Sequence, residues 1–507
     1  MRLNWWMMPT SNKSVIVIGA GLGGLSAAIS LRAAGYAVTI YEKNAQVGGK
    51  LNHLEKDGFS FDLGPSIFTL PQIFEALFKR ANRKMDDYVK LVPVTPHWRN
   101  FFEDNTILDL YQEPDLMRNE LNKLQGSADH HWQQLEKFLA YARQQYQATE
   151  DGYFDKGIDT MWELIRHYHI RLLTGKIDYN RTMSEAISQH FDDPYLRSIF
   201  EYFIKYVGSS ALASPGYMNL MPIIQFDYGL WYVDGGMYAL AQGLEKLVKE
   251  LGITLHLNHE VAQLHTHDNA ITQVAFADGS SAQADWVVSN MEVIPAYRDL
   301  LKEDPSFTQT LEKKFEPACS GLVIHIGTDR EYPQLAHHNF FYSQNQSKHF
   351  HTVFDKHRLP DDPTIYLVAP TRTDPSKAPP GHDNLKILPH IPPLQDDHTF
   401  TESDYLELEE RVLIKLERMG LTDLRKHIVT RDVLTPFDIE RMYRSNKGSV
   451  YGVVTDWNKN KGFKAPKKSS KYNNLYFVGG SVNPGGGMPM VVLSGQKAAD
   501  RIIAEDQ

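Results

Sequence analysis

The stretch that decides the fold runs from Val15 to Glu42 and reads VIVIGAGLGGLSAAISLRAAGYAVTIYE. Its β-branched start is typical of a strand buried on both faces of a parallel sheet. The glycines that follow match G-x-G-x-x-G, and the small and apolar residues after them suit a helix packed closely on that sheet. A second short apolar run then ends in an acid. This order of strand, glycine turn, helix, strand and acid predicts a dinucleotide-binding α/β unit.

Each part of this stretch has a physical task in binding a dinucleotide. Gly19 makes the tight turn, Gly21 lets the backbone approach a pyrophosphate, and Gly24 brings the helix against the strand. The Glu42 carboxylate is placed to accept hydrogen bonds from ribose hydroxyls. A purely structural glycine turn is the alternative, but the complete order of elements favours binding.

The composition excludes several classes of protein. The 507 residues are 42% hydrophobic and 23% charged, which is typical of a globular chain with more than one domain. Lys and Arg number 53 against 62 Asp and Glu, so no basic excess is left for a nucleic-acid partner. The single cysteine, Cys319, rules out an intramolecular disulfide and multi-thiolate metal sites, and it favours a reducing compartment.

The 21 histidines raise the question of a metal site. Two histidine pairs, at 130–131 and 337–338, are adjacent in sequence, and adjacent side chains do not converge as ligands on a helix or strand. The sequence also has no H-x-x-x-H motif with an accompanying acid that would suggest the facial triad of a metal site. The sequence therefore predicts no metal.

Two uncharged stretches, 14–31 and 475–496, imitate membrane spans. Both contain clustered glycines, and the second also contains Pro484 and Pro489. Such residues work against a lipid-exposed helix, which must satisfy every backbone group internally. We therefore predict that each stretch is a strand, a glycine-rich turn and a helix, buried because it contacts a cofactor.

Four further segments carry a family resemblance: 47–50 (VGGK), 58–66 (GFSFDLGPS), 474–481 (NLYFVGGS) and 483–489 (NPGGGMP). With the opening motif, they resemble the FAD-dependent amine-oxidase and phytoene-desaturase superfamily. The resemblance implies FAD, with the Gly-Gly-basic turn and the C-terminal glycine segment closing over the flavin. It implies these further FAD-binding residues: Lys43, Gly48, Gly49, Lys50, Gly64, Pro65, Ser66, Val261, Gly479, Gly480, Ser481, Gly486, Gly487 and Met488.

The flavin segments lie at both ends of the chain, so the predicted domain is discontinuous. The expected fold class is α/β, with a Rossmann-like FAD-binding domain, an α+β substrate domain and a helical lid or membrane region. We predict that the first domain comprises 12–95, 230–290 and 466–507. The substrate-binding and helical lid or membrane-association region then comprises 96–229 and 291–465.

Within the superfamily the chain resembles bacterial carotenoid desaturases, and more closely the branch of C30 carotenoid oxygenases. Gly48-Gly49-Lys50 replaces the Gly-Gly-Arg usual in desaturases, and 203–210 (FIKYVGSS), 289–295 (SNMEVIP) and 479–490 point the same way. This branch implies oxidation of a terminal methyl of 4,4′-diaponeurosporene or diapolycopene to an aldehyde. A 4,4′-diapophytoene desaturase remains an alternative. A non-enzymatic prenyl-lipid binder of the Rab GDP-dissociation-inhibitor type, which uses no flavin, is the alternative from another class.

A C30 polyene substrate requires a long apolar tunnel and a route from the bilayer, because hydrating such a chain costs about 0.8 kcal/mol per CH₂. Aromatic stretches at 200–206, 226–232 and 340–342 are candidates to line the tunnel, with ordinary core packing as the alternative. Segment 159–177 mixes aromatic, aliphatic and basic residues, which suits a membrane headgroup boundary, with a surface lid helix as the alternative. Segment 1–10 is a further membrane candidate. We predict a cytoplasmic protein attached peripherally to the inner face of the cell membrane.

Flavin redox chemistry needs no protein nucleophile, so the absence of a Ser-His-Asp pattern is expected. The sequence has no second G-x-G-x-x-G motif that would indicate a nicotinamide site. We therefore expect dioxygen or a quinone to be the electron acceptor. Glu163 and Arg166 lie at i and i+3 of one predicted helix face. The resemblance implies an acid and an arginine near the flavin at this place, so they are candidate acid/base or cation-stabilising groups. A surface ion pair is the alternative.

Overall fold

The computed structural model describes residues 13–397 and 400–507, and both ranges contain strands and helices. Their strands are β1 (Ser14–Ile18), β2 (Ala37–Tyr41), β3 (His53–Lys56), β4 (Phe59–Asp62), β5 (Leu91–Pro93), β6 (Trp98–Phe101), β7 (Ile107–Leu110), β8 (Trp231–Val233), β9 (Thr254–His256), β10 (Val261–His267), β11 (Ala270–Phe276), β12 (Ser281–Ala282), β13 (Trp286–Ser289), β14 (Ser320–Gly321), β15 (Val323–Thr328), β16 (His338–Phe341), β17 (Ile365–Val368), β18 (Asp383–Ile391), β19 (Ile428–Leu434) and β20 (Leu475–Phe477).

The α-helices of the same ranges are α1 (Leu22–Ala33), α2 (Pro71–Arg80), α3 (Pro114–Glu120), α4 (Ala128–Glu150), α5 (Met161–Leu173), α6 (Met183–Ser188), α7 (Pro194–Glu201), α8 (Met221–Phe226), α9 (Tyr238–Glu250), α10 (Val293–Pro295), α11 (Pro305–Lys314), α12 (Gln346–Phe350), α13 (Glu402–Arg418), α14 (Pro436–Tyr443), α15 (Trp457–Asn460) and α16 (Met488–Glu505). Two non-α segments matter below: a π-helical turn at Asp151–Lys156 and a 3₁₀ turn at Tyr202–Val207.

A five-stranded parallel sheet carries the opening motif, in the order β20-β13-β1-β2-β9. Strand β1 is central, with Ile16 paired to Val287 on one side and Thr39 on the other. The β-branched residues of β1 are buried, as expected for a parallel strand covered on both faces. The sheet takes its strands from all three segments that the sequence assigned to the cofactor domain.

The two ends of the chain meet where α1 packs on α16. The Ser26 hydroxyl donates a 2.6 Å hydrogen bond to the Val492 carbonyl. A Cβ atom at Gly495 would lie 2.4 Å from the carbonyl oxygen of Gly23, so only glycine allows this close approach. The two uncharged stretches are therefore a strand, a turn and a helix each, as predicted. No helix in the described ranges is long and apolar enough to cross a membrane.

A second, mostly antiparallel sheet of eight strands faces the first domain, in the order β19-β15-β18-β17-β16-β6-β7, with β14 added on β18. Its two faces differ because side chains alternate along each strand. On β16, Phe341 packs into a core shared with α13, whereas Phe340 belongs to the core under the helical region. Tyr366 lies opposite Phe340 on β17 and stacks on it, with ring centroids 4.9 Å apart.

Helix α4 continues into the π-helical turn and reverses at Gly157, whose φ is +60°. Helix α5 then packs back with Tyr168 buried; the Tyr168 hydroxyl donates to the Thr149 carbonyl at 2.5 Å and accepts from the Gly152 amide at 2.7 Å. The opposite side of α5 is solvent-exposed. Segment 1–10, also predicted to meet the membrane, lies outside the described residues.

Candidate active site

A cavity of about 740 Å³ lies at the carboxyl ends of the parallel strands, between the two large sheets. Ile18, Tyr41, Asn290 and Gly479 reach it from the ends of β1, β2, β13 and β20. This end of an open parallel sheet is where ligands bind in such folds. The cavity is lined by all but two of the eighteen predicted FAD residues: Gly19, Gly21, Glu42, Lys43, Gly48, Gly49, Lys50, Gly64, Pro65, Ser66, Val261, Gly479, Gly480, Gly486, Gly487 and Met488.

The other two predicted residues, Gly24 and Ser481, lie behind the cavity wall and shape it. A Cβ atom at Gly24 would lie 2.1 Å from the Gly19 carbonyl oxygen, so this glycine closes α1 onto the end of β1. The Gly24 amide donates to Asn290 Oδ1 at 2.9 Å. The Ser481 hydroxyl accepts from the Val293 amide at 3.1 Å, which ties the C-terminal glycine segment to the segment after β13.

The Glu42 carboxylate joins the two parts of the opening motif. Its Oε2 accepts from the Ala20 amide at 2.8 Å, and its Oε1 accepts from the Asn44 amide at 2.9 Å. The side chain is only 5% exposed, yet it lines the cavity. Each carboxylate oxygen keeps a second lone pair, so Glu42 can hold the glycine turn and still accept from hydroxyls in the cavity.

Two glycine turns present bare backbone to the cavity. The Gly48 amide donates to the Ala20 carbonyl at 2.8 Å, and a Cβ at Gly49 would lie 3.1 Å from the Gly21 Cα. A Cβ at Gly21 would meet Asn290 Nδ2 at 2.6 Å. Side chains at these positions would occupy the space between the turns, so the cradle fits a pyrophosphate held by backbone amides.

Helix α16 begins at the cavity, with Met488 and Pro489 in its first turn and Gly487 before it at φ +93°. Its 18 residues give a positive partial charge at this end. A flavin ring that gains negative charge on reduction is stabilised by such a helix end. A Cβ at Gly486 would lie 2.3 Å from the Tyr451 carbonyl oxygen, so the glycine segment packs directly on the opposite wall.

Several lysines also lie on the cavity wall. Lys50 Nζ donates to the Ser449 carbonyl at 2.8 Å and lies 3.2 Å from Glu292 Oε1. Lys386 Nζ donates to Ser66 Oγ at 3.0 Å and to the Gly64 carbonyl. Burial lowers the pKa of Lys386 to about 8, against the opposing charge of Asp62. Burial also lowers the pKa of Lys43, with a smaller contribution from Arg444.

Beyond the glycine turns the cavity becomes more apolar. Residues from the helical region and the eight-stranded sheet line it here: Val207, Met221, Ile224, Val323, Leu388 and Met490, with Lys205, Tyr206, Tyr366, Lys386 and Tyr451 as polar members. This combination of an apolar wall with few polar groups is typical of a site for a largely apolar ligand.

The aromatic stretches predicted to line a tunnel are mostly core instead. Of the described residues in these stretches, only Tyr206 has an aromatic side chain on the cavity wall. Phe200 and Phe203 stack inside the core, and Phe340 and Phe341 are fully buried. Phe200, Phe203 and Phe340 are core residues because they fill the contact between α7, the 3₁₀ turn and the eight-stranded sheet.

The structure does not bring Glu163 and Arg166 to the cavity, although the sequence predicts them beside the flavin. Glu163 Oε2 accepts from the Asp159 and Thr160 amides at 2.7 and 3.3 Å, and its Oε1 lies 3.5 Å from Arg501 Nη2. The carboxylate is thus used to satisfy free amides at the start of α5. Arg166 is exposed on the outer side of α5. We assign neither residue a part in the chemistry.

Several residues of the cavity wall were not predicted from the sequence. Asn290 follows β13 directly, so its place at the carboxyl end of a parallel strand was a usable signal. Lys205, Tyr366 and Tyr451 lie on separate elements and give no local signal.

Across residues 13–397 and 400–507, no three His, Cys, Asp or Glu side chains are grouped as metal ligands. His337 and His338 bind different partners, Thr373 and Tyr366.

Comparison with known proteins agrees with this architecture. The family model described as "Flavin containing amine oxidoreductase" matches residues 22–503 of this chain. The chain is 56% identical over 501 residues to a 4,4′-diapolycopene oxygenase of Methylomonas sp, covering 99% of this chain and 100% of that protein. It is 50% identical over 494 residues to a 4,4′-diaponeurosporene oxygenase of Staphylococcus haemolyticus, covering 97% and 98%.

Solved structures share the fold at low identity. An oxidoreductase from Methanosarcina mazei superposes with a TM-score of 0.64 at 15% identity, over 97% of this chain and 100% of that chain. A putrescine oxidase variant superposes with a TM-score of 0.62 at 14% identity, over 98% and 100%. The predicted fold class, the FAD cofactor and the oxidoreductase class are confirmed by these matches together. The chain belongs to the family of flavin-containing amine oxidoreductases.

Proposed function

We propose that this chain oxidises the terminal methyl of a C30 carotenoid, 4,4′-diaponeurosporene or diapolycopene, to an aldehyde. The observation that carries the proposal is the 56% identity, over essentially the full length of both chains, to a protein named 4,4′-diapolycopene oxygenase. The cavity supports it, because its wall beyond the glycine turns is made largely of apolar side chains that suit a polyene end.

Different residues of the cavity would bind the cofactor and the substrate. The turns at Gly19–Gly24 and Gly48–Gly49 would hold the pyrophosphate of FAD, and Glu42 its ribose. Bound FAD supplies the capacity to take electrons from the substrate. Leu388, Val323 and Ile224 would exclude water and position the carotenoid end, and the positive N-terminal end of α16, which lies at the cavity, would stabilise negative charge on the reduced flavin.

We further propose dioxygen as the electron acceptor, since it balances the reaction without another reagent. Conversion of a methyl to an aldehyde removes four electrons. One dioxygen takes up four electrons when one of its atoms becomes the aldehyde oxygen and the other leaves as water. A quinone acceptor would instead require water to supply the aldehyde oxygen and two quinones to take the electrons.

The FAD-loaded enzyme, supplied with 4,4′-diaponeurosporene in lipid under ¹⁸O₂, tests both parts. Rapid borohydride reduction of the product prevents exchange of the aldehyde oxygen with water before mass analysis. We expect a product carrying ¹⁸O. Loss of hydrogens without oxygen would identify a desaturase, and bound carotenoid without any mass change or flavin reduction would identify a binder. Label from H₂¹⁸O in place of ¹⁸O₂, measured in an enzyme that forms no imine with the aldehyde, would show that water supplies the oxygen and would refute the dioxygen reaction.

We also propose that the protein attaches to the cytoplasmic face of the cell membrane through α5. The α5 outer face consists of Trp162, Ile165, Arg166, His169 and Ile170, which repeat at helical spacing. Trp162 is 73% exposed and Ile170 62%. Exposed apolar side chains beside basic ones match a bilayer with anionic headgroups. Sedimentation of the purified protein with anionic vesicles tests this attachment.

A further inference from the structure

One side chain of the cavity stands apart from the others by its surroundings. Lys205 lies on the 3₁₀ turn Tyr202–Val207, is 4% exposed and lines the cavity. Its Nζ lies over four aromatic rings, with these distances to the ring centroids: 4.0 Å to Tyr366, 4.6 Å to Phe340, 4.9 Å to Tyr206 and 5.2 Å to Trp98. We call this arrangement the Lys205 cage.

The other buried lysines show what is unusual about the Lys205 cage. Each binds at least one oxygen: Lys377 the Gly235 carbonyl, Lys386 Ser66, Lys415 Asp362, Lys464 Thr455 and Lys467 Asp159. Within 13–397 and 400–507, Lys205 Nζ makes no hydrogen bond or ion pair. A lysine retained for structure alone would be expected to satisfy its amine, since an unpaired buried polar group costs about 1–3 kcal/mol.

The cage determines the chemistry of the amine. Burial, with no carboxylate to oppose it, places the pKa of Lys205 well below its ordinary value. Burial thus favours the unprotonated amine, which is the nucleophilic form that makes Schiff bases with carbonyl compounds. The four ring faces supply negative electrostatic potential, so they would stabilise a positive charge formed later at the same nitrogen.

The cage also lies close to the cofactor end of the cavity. A Cβ at Gly487 would lie 3.7 Å from the carbonyl oxygen of Tyr206, the residue after Lys205. Gly487 immediately precedes α16, whose N-terminal end we place beside the flavin. A carotenoid end that has been oxidised there is therefore near Lys205.

We propose that Lys205 is a covalent binding site for the polyene aldehyde, which it holds as a Schiff base. This inference rests on the proposed function for the identity of the aldehyde. The amine nitrogen attacks the carbonyl carbon, a C=N bond forms, and the carbonyl oxygen leaves as water with the two amine hydrogens. No electron is gained or lost. Protonation gives an iminium ion inside the Lys205 cage, and attack by water releases the aldehyde and restores the amine.

The test adds the aldehyde directly and so does not require the enzyme to make it. FAD-loaded enzyme is mixed with 4,4′-diaponeurosporen-4-al and treated with sodium borohydride, which fixes an imine as a stable secondary amine. Peptide mass analysis then locates the label. We expect the label on Lys205, and a red shift of the polyene absorption before reduction, because a protonated imine extends the charge along the conjugated chain.

Two variants sharpen the outcome. Lys205→Met keeps the length and apolar stem of the side chain without the amine, and it should lower the label at least tenfold while the flavin spectrum is retained. Lys386→Met removes a second buried lysine of the cavity and should leave the label on Lys205. A label that is equal in Lys205→Met and wild type, or that falls on Lys386 or surface lysines, overturns the proposal, as does no label at all.

Hydrolysis of a Schiff base exchanges the aldehyde oxygen with water, so the ¹⁸O₂ experiment is run on Lys205→Met as well as on wild type. With that control the outcomes separate this inference from the proposed function. Enzyme that labels at Lys205 but does not oxidise the hydrocarbon would retain the binding site and refute the oxygenase. Enzyme that produces aldehyde but never labels would retain the oxygenase and refute the Schiff base.

Discussion

Replacing Trp162 by alanine should weaken membrane binding by an amount that follows from its exposure. An aromatic side chain of this size buries about 200 Å² when fully covered. With 73% of Trp162 exposed, about 150 Å² is available for transfer into lipid. At about 25 cal/mol per Å² this area contributes about 3.5 kcal/mol, which is a few hundredfold in the partition constant. A ring only half withdrawn from water at the interface still contributes about twentyfold.

The assay is co-sedimentation of the FAD-loaded enzyme with sucrose-filled vesicles of phosphatidylcholine, with and without anionic phospholipid. Ile170→Ala should have a smaller effect, about fivefold, because the side chain is smaller and 62% exposed. Arg166→Gln should weaken binding only to the anionic vesicles and only at low salt, since each basic residue near the surface contributes about 1 kcal/mol.

Leu406→Ala is the matched control, because Leu406 is also an exposed apolar side chain, 50% exposed, but lies on α13 and not on α5. It should leave vesicle binding unchanged. Binding of Trp162→Ala within twofold of wild type, or an equal loss in Leu406→Ala, would refute α5 as the attachment surface.

Three further changes address the cofactor site and stability. Gly24→Ala places a Cβ 2.1 Å from the Gly19 carbonyl oxygen, so overpacking of about 1–3 kcal/mol should separate α1 from β1 and leave purified protein without flavin absorption; full flavin content would contradict this. Glu42→Gln removes a charged acceptor and leaves one backbone amide facing an NH₂ group. The Kd for FAD, measured by flavin fluorescence, should therefore rise about tenfold to a hundredfold. An unchanged Kd would exclude the role assigned to Glu42. Lys464 has its pKa lowered by burial from 10.5 to about 7, so between these values the unfolded chain binds a proton that the folded chain does not. The free energy of unfolding of wild type should therefore rise relative to Lys464→Met as the pH increases from 7 toward 10.5, and level off below 7; denaturant titrations across this window check it, with exposed Lys79→Met as control, and a parallel pH profile for Lys464→Met would contradict it.

Local sequence patterns predicted the parts of the site in which neighbours in sequence are neighbours in space. The turn from Gly19 to Gly24 depends on contacts within six residues, and the position of Glu42 follows from the length of one helix and one strand. For the second half of the site, at 479–488, the pattern predicted a strand, a turn and a helix, and the family resemblance predicted which residues bind FAD. These parts require no knowledge of how distant strands pair.

The remaining parts depend on long-range pairing. Lys386 and Tyr366 reach the cavity from β18 and β17, and their orientation depends on the register of an antiparallel sheet whose strands lie far apart in sequence. Glu163 lies outside the cavity for a different reason. Its residue type suited a role beside the flavin, but the free amides at the start of its own helix compete for the same carboxylate, and they are nearer.

The contact between α1 and α16 has a consequence for biosynthesis. During translation the N-terminal part of a chain folds first, yet the groove that receives the dinucleotide is completed only by α16, which begins at Met488. Capture of FAD must therefore wait until α16 has left the ribosome. A product truncated before α16 would leave Gly23 and the side of α1 uncovered and would carry no flavin, so cofactor loading reports that synthesis has passed α16.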